Sequence, residues 1–368
     1  MMSHRVLITG IGGNVGQGVL KSLRAASKPF HIVGIDMEAL SAGFSLVDRY
    51  YQTPRTSDPA FPQTLRRIAR QEELEAVYVC SPTELEFFGS HKEELECELG
   101  LSIFVNPLDV VRIGSDKLKT ADFLREAGFP SPETVLSANT AQVAGLIDRH
   151  GFPLIVKPRD GCSSRNVFLV NSREEIQALT KVVPGLVLQQ YLPDDSSEHT
   201  AATLSGADGK VRALIILRRD LLQGTTYRTE LVEDDDLNRQ MTRIVEALGA
   251  VGPSNLQFRL LDGVPYVFEI NPRFSGTSGI RYLYGFNDCE MIFDLFRLGI
   301  AVEQPALRKA VVLRYWNEVC IPDATFEDLR NGHAQHRGFE TMTRNALAPD
   351  NDASETNGPA GTVGTKCL

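Results

Sequence analysis

The stretch from Asn255 to Arg273 constrains this chain more than any other part of it. Its even positions Leu256, Phe258, Leu260, Tyr266, Phe268 and Ile270 are apolar, whereas Asn255, Gln257, Arg259, Glu269, Asn271 and Arg273 fall on odd ones. Alternation with a period of two means strand, because successive side chains point to opposite faces. With Asp262-Gly263 between its halves, the stretch reads as a hairpin with one face in a core and the other carrying oxygens and guanidiniums. Keeping odd residues opposite odd residues needs an odd-numbered connection. The expectation is therefore a three-residue loop, 262–264, with Gly263 at its centre or in a bulge, and Gln257 directly opposite Glu269. That register gathers Gln257, Glu269 and Asn271 into one patch of oxygen donors. Such a patch suits magnesium, which takes few protein ligands and fills its octahedron with water and phosphate. Arg273, on the same parity, is placed to brace a transferring phosphoryl group or an anionic intermediate. An ordinary amphipathic hairpin with a solvated polar face has the same pattern, so the patch needs support from elsewhere in the chain.

Two lysines supply it. Lys117 falls in the first turn of a helix that reads as opening at Ser115, and Lys157 ends the apolar strand 154–157. The segment 159–166 that follows is rich in small residues and includes Ser163 and Ser164. A strand-terminal lysine beside such a loop offers a point charge and backbone donors to a phosphate. Either lysine taken alone reads more simply as a surface residue. Further on, the extended segment of Gln189, Gln190, Tyr191 and Leu192 can present backbone groups to an adenine edge, and Glu198 can take ribose hydroxyls. Arg219 and Arg228, near the expected turn 223–226, are candidates for an acceptor carboxylate or phosphate, with a solvated turn as the plain alternative. Residues 275–279 are candidates for shaping a substrate pocket, and the acidic run 233–236 reads as a solvated approach to a helix.

Around this hairpin the chain changes character once. Strand 5–9, glycine turn 10–18, helix 19–26 and strand 31–36 make a βαβ unit, and helix 61–72 with strands 76–80 and 101–105 extends it. Residues 1–113 are thus expected to form a Rossmann-like parallel α/β domain. From residue 154 apolar strands follow at 154–157, 166–170, 186–191, 199–204, 211–217 and 255–270, interrupted by helices at 172–180 and 237–248. Residues 114–300 are therefore expected to form an α+β domain of two subdomains. A short C-terminal segment, 301–346, and a tail, 347–368, disordered by composition, complete the reading.

The turn Thr9-Gly10-Ile11-Gly12-Gly13-Asn14-Val15-Gly16, with Asp36 ending the next strand, matches a dinucleotide fingerprint. An NAD-dependent oxidoreductase of the short-chain type would add Tyr-x-x-x-Lys, and none of the nine tyrosines has lysine four residues later. The turn is therefore expected to be scaffold, its glycines serving close helix packing.

Composition removes other classes. A net charge of -9 without a long basic tract argues against a nucleic-acid partner. No run of about 18 apolar residues suggests a membrane span, and the N-terminus lacks a secretory h-region, so a cytoplasmic location is expected. The six cysteines and seven histidines are scattered without zinc or redox spacing.

The order of these parts resembles the ATP-grasp superfamily, particularly the carbamoyl phosphate synthetase large-chain group and its stand-alone relatives, over residues 5 to about 300. The resemblance implies a pre-ATP-grasp domain that binds no dinucleotide, followed by an ATP-grasp fold. It makes Lys117 and Lys157 the two nucleotide lysines, Gln189 to Leu192 the adenine hinge (with glutamine where the family more often has glutamate) and Glu198 the ribose ligand. Gln257, Glu269 and Asn271 become the metal set, and Arg273 the arginine that follows it. The segment holding Ser163 and Ser164 takes the place of the mobile phosphate loop, with less glycine than relatives show. The implied activity is ligation: ATP phosphorylates a small-molecule carboxylate to an acyl phosphate, which an amine attacks. Lys157, Arg219 and Arg273 would serve catalysis, with ATP and two magnesium ions, replaceable by manganese, and a homodimer as a compatible assembly. Carbamoyl phosphate synthesis itself would require a second ATP-grasp half and an amidotransferase. The alternatives are the oxidoreductase above and an ATP-binding subunit without catalysis.

Overall fold

The computed structural model describes residues 3–39, 41–161, 166–193 and 198–315. Ser163, Ser164 and the expected tail lie outside these residues.

The chain opens with β1 (His4–Thr9), α1 (Asn14–Arg24), β2 (Phe30–Asp36), β3 (Arg49–Gln52), α2 (Phe61–Gln71), β4 (Ala76–Tyr78), α3 (Leu85–Leu99) and β5 (Ser102–Phe104). The five strands form a parallel sheet in the order β3-β2-β1-β4-β5. Val6, Ile8 and Ile32 pack on one side of it and Leu7, Val33 and Ile35 on the other. Burial on both faces explains why these strands read as unbroken apolar runs. Gly10 sits at φ +55, and a Cβ on Gly16 would lie 2.5 Å from the Gly10 carbonyl, so the glycine spacing has a steric cause in the turn itself.

Next come α4 (Leu108–Gly114), α5 (Lys117–Glu126), β6 (Thr134–Leu136), α6 (Thr140–His150), β7 (Leu154–Pro158), β8 (Phe168–Val170), α7 (Arg173–Val182) and β9 (Leu186–Gln190). The strands make an antiparallel sheet, β6-β9-β7-β8. The helix expected to open at Ser115 begins at Lys117. Ser115 closes α4, and Asp116 is the N-cap, accepting from the Leu118 and Lys119 amides. Asp116 also pairs with Arg159 at 2.7 Å, tying α5 to the end of β7.

The remaining elements are β10 (Glu198–Ser205), β11 (Val211–Leu222), β12 (Thr225–Val232), α8 (Asp235–Leu248), β13 (Gly252–Leu261), β14 (Val264–Asn271), α9 (Ser278–Arg281), α10 (Asp288–Phe296) and β15 (Val311–Leu313). Six strands form an antiparallel sheet, β14-β13-β10-β11-β12-β15. Its apolar face, with Leu256, Phe258, Val267 and Ile270, packs against α8 through Leu237, Met241 and Ile244. The acidic run read as a solvated approach contains the N-cap of α8: Asp234 accepts from the Asp236 and Leu237 amides. Among the described residues no helix is long and apolar enough to cross a membrane.

The parallel sheet is fastened to this large sheet close to the end of β14. Asn106 Nδ2 donates to the carbonyls of Pro253 at 2.7 Å and Pro272 at 3.1 Å. Ser22 Oγ donates to the Ser278 carbonyl at 2.8 Å, and Tyr78 Oη to that of Cys289 at 2.8 Å. These contacts bring the glycine turn to the polar face of the β13–β14 hairpin.

Candidate active site

The expected pairing of Gln257 with Glu269 is present, and Asn255 pairs with Asn271. The loop differs. It holds two residues, Asp262 and Gly263, with φ of +52° and +80°, the left-handed pair that tight hairpin turns adopt. A two-residue turn pairs Arg259 with Tyr266 and Phe258 with Val267, the opposite parity from that expected. A bulge at Phe268 restores odd-to-odd pairing, placing Phe268 and Glu269 on one face. Phe268 is thus half-buried on the polar side rather than in the core, where Val267 and Ile270 sit.

Lys157, near the end of β7, reaches across from the four-stranded sheet. Its ammonium stands 5.8 Å from the centre of the Phe268 ring, donates to Gln189 Oε1 at 2.8 Å and is 5% exposed. Burial pushes its pKa down to about 8, against the raising influence of Glu269 and Glu198, with Lys117 also lowering it. Gln189 therefore turns its amide to the lysine; its Nε2 donates to Thr134 Oγ1 at 2.8 Å. Gln190 is occupied as well, its Oε1 accepting from the Glu133 amide at 3.3 Å. Of the expected hinge, Tyr191 and Leu192 continue past β9, and the Leu192 carbonyl accepts from Arg259 at 2.9 Å. Lys117 Nζ donates to the Gly161 carbonyl at 2.9 Å, where the small-residue segment begins.

Behind the hairpin lies a buried charge network. Arg219 Nη2 donates to Glu198 Oε1 at 2.7 Å and to Gln257 Oε1 at 2.9 Å, and Arg259 Nη2 donates to Glu198 Oε2 at 3.1 Å. Both Glu198 oxygens thus have guanidinium partners. Asn271 links its neighbours, donating to Glu269 Oε1 at 2.8 Å and accepting from Arg273 Nη2 at 3.0 Å. Arg228 does not join this group. It pairs with Glu230 and, at 3.8 Å, with Asp220 on the outer part of the sheet.

Two features escaped the sequence reading. Arg281, 2% exposed, donates to Asp288 Oδ2 at 2.6 Å, Ser275 Oγ at 2.6 Å and Thr277 Oγ1 at 2.7 Å, and also to Asn255 Oδ1. It holds the segment after Arg273 in place. No periodicity signals an arginine turned inward among serines and glycines. The second is Glu84, just beyond β4, whose position past the carboxyl end of a parallel strand was the one available signal. A cavity of about 910 Å³ joins these regions, bounded by Arg219, Gln257, Glu269 and Arg273 on one side and by the glycine turn, Asp36 and Glu84 on the other.

Residues 114–277 match the model of the ATP-grasp domain, and residues 6–103 match the PylC-like N-terminal domain. The chain therefore carries an ATP-grasp domain preceded by a PylC-like one. It is similar to the carbamoyl phosphate synthase large chain of Thermomicrobium roseum, 27% identical over 304 residues that cover 75% of this chain and 28% of the relative. The chain thus spans little more than a quarter of the length of the curated relatives it matches. Among solved structures, N5-carboxyaminoimidazole ribonucleotide synthetase from Thermus thermophilus superposes with a TM-score of 0.66 at 19% identity, covering 91% of each chain. L-amino acid ligase from Bacillus licheniformis superposes with a TM-score of 0.61 at 21% identity, covering 80% of this chain and 74% of that one.

Proposed function

We propose that the chain is an ATP-dependent ligase that activates a carboxylate as an acyl phosphate and passes the acyl group to an amine. The observation that carries this reading is the meeting of Lys157 with Phe268 across the cleft between two antiparallel sheets, beside a patch of Gln257, Glu269 and Asn271. Sequence likeness to a synthase and structural likeness to ligases support it. A domain boundary near residue 113 accommodates both matched segments.

The donor set suits a hard cation. It consists of one carboxylate and two amide oxygens, and among the described residues no group of three His, Cys, Asp or Glu side chains could cage a metal. A site of this kind fits an ion that keeps water and nucleotide oxygens in its shell. Magnesium held by Glu269, Gln257 and Asn271, as two ions replaceable by manganese, would supply charge neutralisation at the β- and γ-phosphates.

The chain's own residues do the rest. Lys157 and Lys117 hold phosphate oxygens, and the Phe268 ring lies beside Lys157 at the base of the nucleotide cleft. Arg273, fixed by Asn271, stabilises charge as a carboxylate oxygen bonds to the γ-phosphorus and the bond to the bridging oxygen of ADP breaks. The amine nitrogen then bonds to the acyl carbon, phosphate departs with the bonding pair of the C–O bond, and the nitrogen loses a proton. Arg219, anchored by Glu198, borders the cavity that Glu269 and Arg273 also line.

The test is ADP release with ATP and magnesium against panels of acids and amines. Carboxylates carrying ¹⁸O should yield ¹⁸O-labelled phosphate; ADP release without label in the phosphate would contradict acyl phosphate formation.

A further inference from the structure

The cavity has two chemically different walls. One carries the guanidiniums of Arg219 and Arg273 together with the Glu269 carboxylate. The other is formed at the carboxyl ends of β1, β2 and β4, where the parallel sheet reverses its direction of winding between β1 and β4. That crevice is where open α/β sheets bind ligands.

Three carboxylates line this wall, Asp36, Glu38 and Glu84; Glu38 is exposed, and the other two are not equivalent. Asp36 is committed to the backbone: its Oδ2 accepts from the Gly12 amide at 2.8 Å and its Oδ1 from the Glu38 amide at 3.1 Å. It stiffens the glycine turn, a role different from the ribose contact of a dinucleotide fold. Glu84 takes hydrogen bonds from the Thr9 side chain and the Ser81 backbone, yet its Oε2 is buried with no hydrogen-bond partner among the described residues. Ser41 Oγ, bordering the same cavity, is buried and without a partner in the same way. A buried carboxyl oxygen left open is costly unless a ligand completes it. A primary ammonium suits the open carboxyl oxygen, because it brings three donors and no acceptor.

Resting on the ligase reading, we propose that this crevice is the subsite of the nucleophile, that the nucleophile is a primary amine entering as its ammonium, and that Glu84 selects it. The acyl phosphate then forms against Arg273 while the nitrogen waits on the opposite wall, and Asp36 keeps the glycine turn in shape around it.

Calorimetric titration of the full chain tests this, with the twenty proteinogenic L-amino acids, glucosamine and putrescine as probes, each beside its N-acetyl form. At least one free amine should bind and its acetylated form should bind roughly tenfold or more weakly, the worth of a hydrogen bond to a charged group. Glu84→Gln should weaken the amine by a similar factor and Glu84→Asp should recover part of it, with ADP affinity unchanged in both. The proposal is overturned if none of the amines binds, if acetylation makes no difference, or if Glu84→Gln binds like the parent chain. Glu84-dependent amine binding without ADP release from any acid would instead sink the ligase reading and leave the subsite standing. ADP release indifferent to Glu84 and to acetylation would do the reverse.

Discussion

The ammonium of Lys157 is held by an uncharged partner, Gln189 Oε1, at 2.8 Å. Because burial has pushed this lysine down to about 8, its charge is at stake in the ordinary working range of pH. Phosphate binding needs the protonated form, so ADP affinity should fall as pH rises through about 8, and binding near that pH should take up a proton. Gln189→Leu removes the acceptor, lowers the lysine further, and should weaken ADP at pH 8 roughly tenfold. Calorimetry in buffers of different ionisation enthalpy reads both effects. Equal affinity at pH 7 and 9.5 would count against a phosphate role for Lys157.

Glu84 carries a cost that can be measured. Burial, with Asp36 adding to it, pushes its carboxyl up to about 7 despite hydrogen bonds from the Thr9 side chain and the Ser81 backbone. Since the folded value lies above the unfolded one, its favourable contribution is full below pH 4.5 and is lost as pH rises through 7. Glu84→Gln should therefore be more stable than the parent at pH 8 by about 1–3 kcal/mol. At pH 4 the two should unfold at the same urea concentration. A residue whose removal stabilises the fold while weakening a ligand is one kept for function.

Arg281 and Asp288 are each 2% exposed and 2.6 Å apart. Asp288→Ala leaves a guanidinium buried without its counter-charge and should cost about 3–5 kcal/mol in urea unfolding. A combined Arg281→Met, Asp288→Leu change should recover part of that loss, although Ser275 and Thr277 would lose their donor.

The bulge makes its own forecast. With Phe268 half-buried beside Lys157, Phe268→Ala should lower stability by less than about 1 kcal/mol and ADP affinity roughly tenfold. A phenylalanine on the core face would behave in the opposite way, costing about 3–5 kcal/mol of stability. Urea unfolding and ADP titration of one variant separate the two.

What the chain's pattern made legible follows from how each element is buried. The parallel strands were readable because both faces are covered, and the Gln257–Glu269 pairing because polarity alternates along β13. The two-residue turn was hidden because the bulge at Phe268 cancels its effect on parity. Helix α6 left little trace, since Leu146 is its one buried side chain. Strand β12 went unread beyond the turn 223–226 because its charged residues pair along the exposed sheet. The roles of Gln189 and Glu198 depend on partners 32 and 21 residues away, Lys157 and Arg219, which no local spacing encodes. Arg228 was a candidate by nearness in sequence to Arg219, but the hairpin pairs it with Asp220, one residue beyond Arg219, which turns it to the opposite face of the sheet.

The most direct measurement of the central claim is a titration of manganese with ADP, followed by electron paramagnetic resonance, on the parent chain and on Glu269→Ala. The expected result is an ADP-dependent bound manganese signal in the parent that is lost in the variant, with the fold intact by circular dichroism. A variant that binds manganese and ADP as tightly as the parent would place the phosphate site elsewhere.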